Sequence, residues 1–190
     1  MLSNLQRRTI ALCVVLAGMV IAVCLRWGPS PLPALSLAPA PVHFQGASAY
    51  EYTRVVAEEF PDRITGTSAA RQAALYIGSQ LKNLGYSVTF QTFPLWLRGT
   101  HVQGMNIIAA LPGESPESVA FLAHYDSQFT SHQAAEDNAS GVGVLLELAR
   151  ALRLAPHRQG IILVATDAGE WGMIGGREAA PIFEADTPVF

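Results

Sequence analysis

Apolar residues follow three rhythms along this chain. The first is unbroken: the 17 residues from Thr9 to Leu25, between Arg8 and Arg26, carry no charge. A helix of that length covers about 25 Å, and Trp27 with a snorkelling Arg26 would complete the crossing of a roughly 30 Å hydrocarbon core. The run predicts a transmembrane anchor over residues 9–27, or an uncleaved signal. A buried core helix is disfavoured because no polar face exists. The second rhythm is helical. Ala70, Ala73, Ala74, Ile77, Leu81 and Leu84 recur at helix spacing up to Gly85, a residue suited to ending a helix. Ser48 with Glu51 reads as a capping box for a helix that Pro61 stops after Phe60, and a further helix runs from Gly141 to Leu154. The third rhythm is that of strands. Tyr86–Phe93 alternates, while Gln103–Leu111, Val119–His124 and Ile161–Thr166 are short apolar runs bounded by turn residues.

Continuous apolar strands interleaved with helices need cover on both faces. The expected fold is therefore α/β, with a mixed, partly parallel sheet covered by helices on both sides. The chain divides into a cytoplasmic tail (1–8), the anchor (9–27), a linker (28–41) and a domain (42–190). The linker holds five of the twelve prolines and predicts a semi-rigid extended spacer.

Charge and composition refine this picture. Net charge is −3, which gives no basic excess for a phosphate backbone, so nucleic acid is excluded as a general partner. Residues 42–190 carry nine Lys and Arg against fifteen Asp and Glu, an acidic balance that suits a metal better than a phosphate. Cys13 and Cys24 both lie in the apolar run, so the domain needs no disulfide. Arg7 and Arg8 place the N-terminus in the cytoplasm by the positive-inside rule. The expected localisation is single-pass membrane, with the domain outside the cytoplasm, in a periplasmic or extracellular space.

Three polar clusters stand at or just after predicted strand ends, where open α/β sheets place their sites. They are His124-Tyr125-Asp126, Glu136-Asp137-Asn138-Ala139-Ser140-Gly141 and Asp167-Ala168-Gly169-Glu170-Trp171-Gly172. A neutral imidazole and carboxylates are ligands that zinc accepts, and a ligating histidine needs a partner on its other ring nitrogen. Asp126 is positioned to be that partner. Singly, each cluster has an ordinary structural explanation, the Asp-Asn pair as a helix cap for example; their joint occurrence is what points to a metal.

The motifs H-Y-D-S at 124–127, E-D-N-A-S-G-V at 136–142 and G-E-W-G-M-I-G-G at 169–176 resemble those of the co-catalytic zinc exopeptidases. That family includes aminopeptidase S, aminopeptidase Y and the glutamate carboxypeptidase II group, and the resemblance covers about Ser48 to Gly176. It implies that His124 binds one zinc, that Asp126 orients it, that Asp137 bridges two zinc ions and that Glu170 binds the second. It also implies an aminopeptidase acting on peptide substrates through a hydroxide shared by the two metals.

Two departures stand out. The family's general-base glutamate falls on Gly169, and loss of such a base costs on the order of 10²–10⁴ in rate. Asp167 is the nearest other carboxylate. The family also draws an Asp and a His ligand from sequence beyond its third motif, and no counterpart follows here, so the chain reads as the N-terminal portion of that fold. His43, His101, His132 and His157 match no family position, with His132 placed nearest the site. On this reading the protein is a membrane-anchored zinc exopeptidase, weakened at its base, in which Gly169→Glu raises hydrolysis of an aminoacyl-arylamide in a full-length context. The alternative is a non-catalytic ectodomain of the same fold used for binding.

Overall fold

A computed structural model describes residues 43–184. The tail, anchor and linker expected over 1–41 lie outside the described residues. Among those described, no helix is long and apolar enough to cross a membrane. The described residues form an α/β unit, with no transmembrane helix among them. The membrane-anchored reading, the single-pass localisation and the lipid bilayer as a partner are not carried forward.

The elements are α1 (Gly46–Glu59), α2 (Ser68–Asn83), β1 (Ser87–Leu97), β2 (Thr100–Leu111), β3 (Ser118–His124), α3 (Ser140–Leu154), β4 (Gly160–Thr166), and two short helices, α4 (Ile174–Ala179) and α5 (Pro181–Glu184). The sheet has the order β1-β2-β4-β3. β1 with β2 and β2 with β4 are antiparallel, whereas β3 and β4 run parallel, joined through α3. The mixed, partly parallel sheet expected from the apolar runs is present.

Alternation sends side chains to two helical layers. Ile107, Ala109, Ile161, Leu163 and Ala165 face the main core, where Ala73, Ile77 and Leu81 of α2 and Val142, Leu146 and Ala149 of α3 meet them. Ile108, Ile162 and Val164 point the other way, onto Ala179 of α4. β4 is buried at all seven positions, which explains why its sequence is apolar throughout rather than alternating.

Local chemistry sets the ends of the elements. Thr67 caps α2, its hydroxyl accepting from the Ala70 N–H at 3.2 Å. Gly85, with φ of +87°, closes the helix: its N–H donates to the Lys82 carbonyl and that of Tyr86 to the Leu81 carbonyl, a Schellman arrangement. The capping box expected at Ser48 does not form. α1 begins three residues earlier, with Gln45 at the cap position, so Ser48 lies inside its first turn and donates to the Gln45 side chain at 3.3 Å. β1 also runs past its expected end at Phe93. Pro94 is tolerated because β1 lies at the sheet edge, and the hairpin continues to a two-residue turn, Arg98-Gly99, between Leu97 and Thr100.

α1 is tied to α3 by charge and by close approach. The buried Glu147 carboxylate accepts from the Gln45 N–H at 2.7 Å and pairs with Arg150 at 2.7 Å. Arg150 holds this carboxyl below its ordinary value of 4.5. The resulting stabilisation is present above that pH and is lost as pH falls toward the folded-state value. At Gly143 an added Cβ would meet Thr53 Oγ1 and the Ala49 carbonyl oxygen. Gly143→Ala is therefore expected to destabilise the fold by about 1–3 kcal/mol, read as a lower denaturant midpoint with an unchanged slope.

Candidate metal centre

The parallel pair β3 and β4 ends at one side of the sheet, with His124 opposite Thr166. The segments that follow these strands, together with the wide turn Ala135–Ala139 leading into α3, carry the polar residues singled out in the sequence. The Asp137–Asn138 peptide bond in that turn is cis. Asn138 Oδ1 accepts from the Gly141 N–H at 3.0 Å, so Asn138 serves the start of α3 and leaves Asp137 to face the site.

Donor atoms of His124, Asp137 and Glu170 all lie within 4.8 Å of one another. His124 Nε2 is 3.1 Å from Asp137 Oδ1, and its Nδ1 is 3.3 Å from Asp126 Oδ1. The Asp126 carboxylate raises the imidazole pKa above its ordinary 6.5, outweighing the opposing effect of burial. Asp126 is fully buried and accepts the N–H groups of Gly169 and Glu170 at 2.8 and 3.2 Å. One carboxylate thus joins the end of β3 to the loop after β4.

Glu170 divides its two oxygens. Oε2 accepts from Gln128 Nε2 at 2.7 Å, whereas Oε1 is buried without a hydrogen-bond partner. A buried carboxylate oxygen left in this way is costly unless a cation or donor takes it up. An imidazole and two carboxylates around that oxygen fit a zinc ion by donor type. The cluster is partial, because these three side chains are the only such group among the described residues.

Neither carboxylate substitute for the absent base is available. Asp167 is 2% exposed and accepts from Thr65 Oγ1 at 2.7 Å, the Met105 N–H at 3.0 Å and the Ala168 N–H at 2.8 Å, so it supports the loop from behind. Burial raises its pKa, against the effect of those donors. At Gly169, an added Cβ would lie 2.5 Å from His124 Cβ and Cγ. A side chain added at 169 therefore meets the histidine, a steric conflict that opposes the gain expected of Gly169→Glu. The other histidines lie apart from the cluster: His132 pairs with Asp62 at 2.7 Å on the surface, His101 packs against Trp96, and His157 contacts the Gln159 carbonyl.

Three residues that organise the centre were not singled out in the sequence. Arg63 is fully buried and donates to the carbonyls of Tyr125, Gln133 and Ala134 at 2.6, 2.7 and 2.7 Å. Burial lowers its pKa to about 10, while nearby Asp126 opposes the change. Thr65 reaches Asp167, and Gln128 fixes Glu170. No periodicity marks any of them; the only available signal is an arginine and two threonines in a loop, P-D-R-I-T-G-T, directly before a helix.

Comparison with known proteins places this geometry. Residues 106–187 match the model of Peptidase family M28. The chain is 32% identical to the alkaline phosphatase isozyme conversion protein of Escherichia coli over 92% of its own length and 52% of that protein. Glutaminyl cyclase from Porphyromonas gingivalis superposes with a TM-score of 0.67 at 30% identity, covering 74% of this chain and 54% of that one. A putative zinc-dependent exopeptidase from Bacteroides vulgatus gives 0.63 at 33% identity, over 72% and 53%. The chain matches the co-catalytic zinc exopeptidase and glutaminyl cyclase superfamily. It spans about half the length of these relatives. The resemblance to zinc aminopeptidases holds within this superfamily, and the metal-binding site carried by the chain is incomplete.

Three outcomes follow from this geometry. Arg63→Met should destabilise the fold by about 3 kcal/mol in denaturant unfolding, because the buried carbonyls of Tyr125 and Ala134, at about 1–3 kcal/mol each, and the part-buried one of Gln133 all lose a donor. Gly169→Ala should displace the His124 imidazole, seen as a shift of its ring resonances, and Gly169→Glu should give no gain in hydrolysis of an aminoacyl-arylamide.

Proposed function

We propose that this chain is a zinc-binding domain of the aminopeptidase type, with His124, Asp137 and Glu170 as its metal ligands. The observation that carries this reading is the unpartnered Glu170 oxygen, buried in a cluster whose donor atoms lie within 4.8 Å of one another. A bound zinc supplies Lewis-acid polarisation of a carbonyl and of a water molecule. Asp126 positions His124 through Nδ1, which leaves Nε2 as the ligand atom. Gln128 orients Glu170 in the same manner. A second zinc bridged by Asp137, as the resemblance implies, requires donors in addition to these three. Peptides are the substrate class, on the strength of the superfamily.

A second reading, a domain that binds peptide without cleaving it, is favoured by one observation. Gly169 is crowded by His124 and Asp167 is committed to the loop, so neither residue offers a free carboxylate to move a proton. A domain short of its general base is expected to turn over about 10²–10⁴ more slowly than one that has it.

Calorimetric titration with zinc tests the proposal. Wild-type protein should bind, Asp137→Asn and Glu170→Gln should each lose more than about tenfold in affinity, and Gln128→Ala should lose about tenfold as the residue orienting a ligand. Zinc affinity unchanged in Asp137→Asn and Glu170→Gln would sink the assignment. With zinc bound, release of arylamine above the uncatalysed rate decides for the enzyme, and peptide binding without release decides for the binding domain.

A further inference from the structure

The tip of the β1–β2 hairpin is built at a cost that its own packing does not explain. Arg98 and Gly99 both have positive φ, 49° and 80°, as a two-residue hairpin turn of the type I′ class requires. Asn, Asp or Gly ordinarily takes the first of these positions; arginine there is held in a sparsely populated conformation. Arg98 is exposed and makes no ion pair among the described residues. Its guanidinium carbon instead sits 3.7 Å from the centre of the Phe129 ring, and that ring meets Trp171 edge-on at 5.3 Å.

These side chains enclose something. Arg98, Gln128, Phe129, Thr130, Glu170 and Trp171 line a cavity of about 300 Å³. It opens beside Glu170, whose Oε2 is taken by Gln128 and whose Oε1 has no partner. Stacking on Phe129 occupies one face of the guanidinium and leaves the N–H edge to donate, since Arg98 makes no hydrogen bond among the described residues. A planar fork of this kind matches a carboxylate, and two aromatic rings beside it suit the adjoining apolar part of a peptide.

We propose that this cavity is the specificity pocket of the candidate centre and that Arg98 recognises a carboxylate of the bound peptide. The inference rests on the zinc-binding reading given under Proposed function: with a dication beside it, Glu170 is neutralised and Arg98 is the remaining charge of the pocket. The carboxylate belongs either to the C-terminus of a short peptide or to an acidic side chain; the chemistry recognised is the same. Phe129 is a positioning residue, holding the guanidinium over the cavity, and the positive φ at Arg98 is the backbone geometry that directs the side chain there.

The experiment uses the full chain in two stages. Zinc is titrated first, and absence of binding overturns the metal reading and this pocket's role with it. With zinc bound, Ala-Ala, Ala-Ala-amide and Ala-Asp-amide are titrated into wild type and Arg98→Gln. A preference of roughly tenfold for either acid over Ala-Ala-amide, abolished in Arg98→Gln, is the expected result, and the preferred acid identifies which carboxylate is read. Equal binding of all three peptides, or a preference that survives Arg98→Gln, overturns the pocket while leaving the metal reading standing. Arg98→Asn provides a second check: asparagine suits the turn, so the melting temperature should rise while the preference for acid is lost. A preference retained in Arg98→Asn would equally refute the role of the guanidinium.

Discussion

Everything at the candidate centre depends on a positive charge buried among carbonyl groups. Arg63 has no solvent contact and no bonded carboxylate; it spends its guanidinium on the backbone oxygens of Tyr125, Gln133 and Ala134. A guanidinium is the side chain suited to this, because five donors in a rigid plane can serve several acceptors while the charge stays delocalised. The three carbonyls belong to the start and the end of one loop, between β3 and the turn that carries Asp137. Closing that loop from inside holds the two segments that supply His124 and Asp137. The Arg63 backbone adds to this, its carbonyl accepting from the Ser127 N–H at 3.2 Å.

Asp126 completes the same polar core from the opposite sign. It accepts two N–H groups of the loop after β4 and faces His124, so the position of Glu170 and the orientation of His124 depend on one carboxylate. Thr65 ties in Asp167 as well. The cost of burying two acids and a guanidinium is offset by near-complete hydrogen bonding around them. Among the buried polar atoms left without a hydrogen-bond partner in the described residues, Glu170 Oε1 is the one carboxylate oxygen, which is why it carries the functional reading. Gly169 belongs to the same packing: the His124 imidazole occupies the volume that a side chain at 169 would need.

Much of the fold was legible because burial imposes periodicity. β4 reads as a continuous apolar run since both of its faces are covered, and α2 reads as a helix since a single face of it is. The hairpin tip was not legible past Phe93, because a proline ends a strand in most settings and only its place at the sheet edge permits Pro94. Ser48 misled for another reason: a capping box is defined by residue types three apart, and α1 starts early enough to put both residues inside it. At the centre, His124, Asp126, Asp137 and Glu170 were legible through their motifs. Arg63, Thr65 and Gln128 were not, since two of them act on partners remote in sequence and Gln128 reaches Glu170 across 42 positions. At Gly169 the sequence shows that a side chain is lacking, but the neighbour that fills the space is visible only in three dimensions.

The order of strands in the sheet has a kinetic meaning. β4 pairs on one side with β2 and on the other with β3, and Thr65 meets Asp167 across 102 positions of chain. Local elements such as α2 and the β1–β2 hairpin can form early, but contacts of this span wait for the loop-closure entropy to be overcome. The donors come from three segments that converge only after β4 has docked. The candidate ligand cluster is thus expected to assemble late in folding, and an ion would meet a site whose donors the sheet already holds.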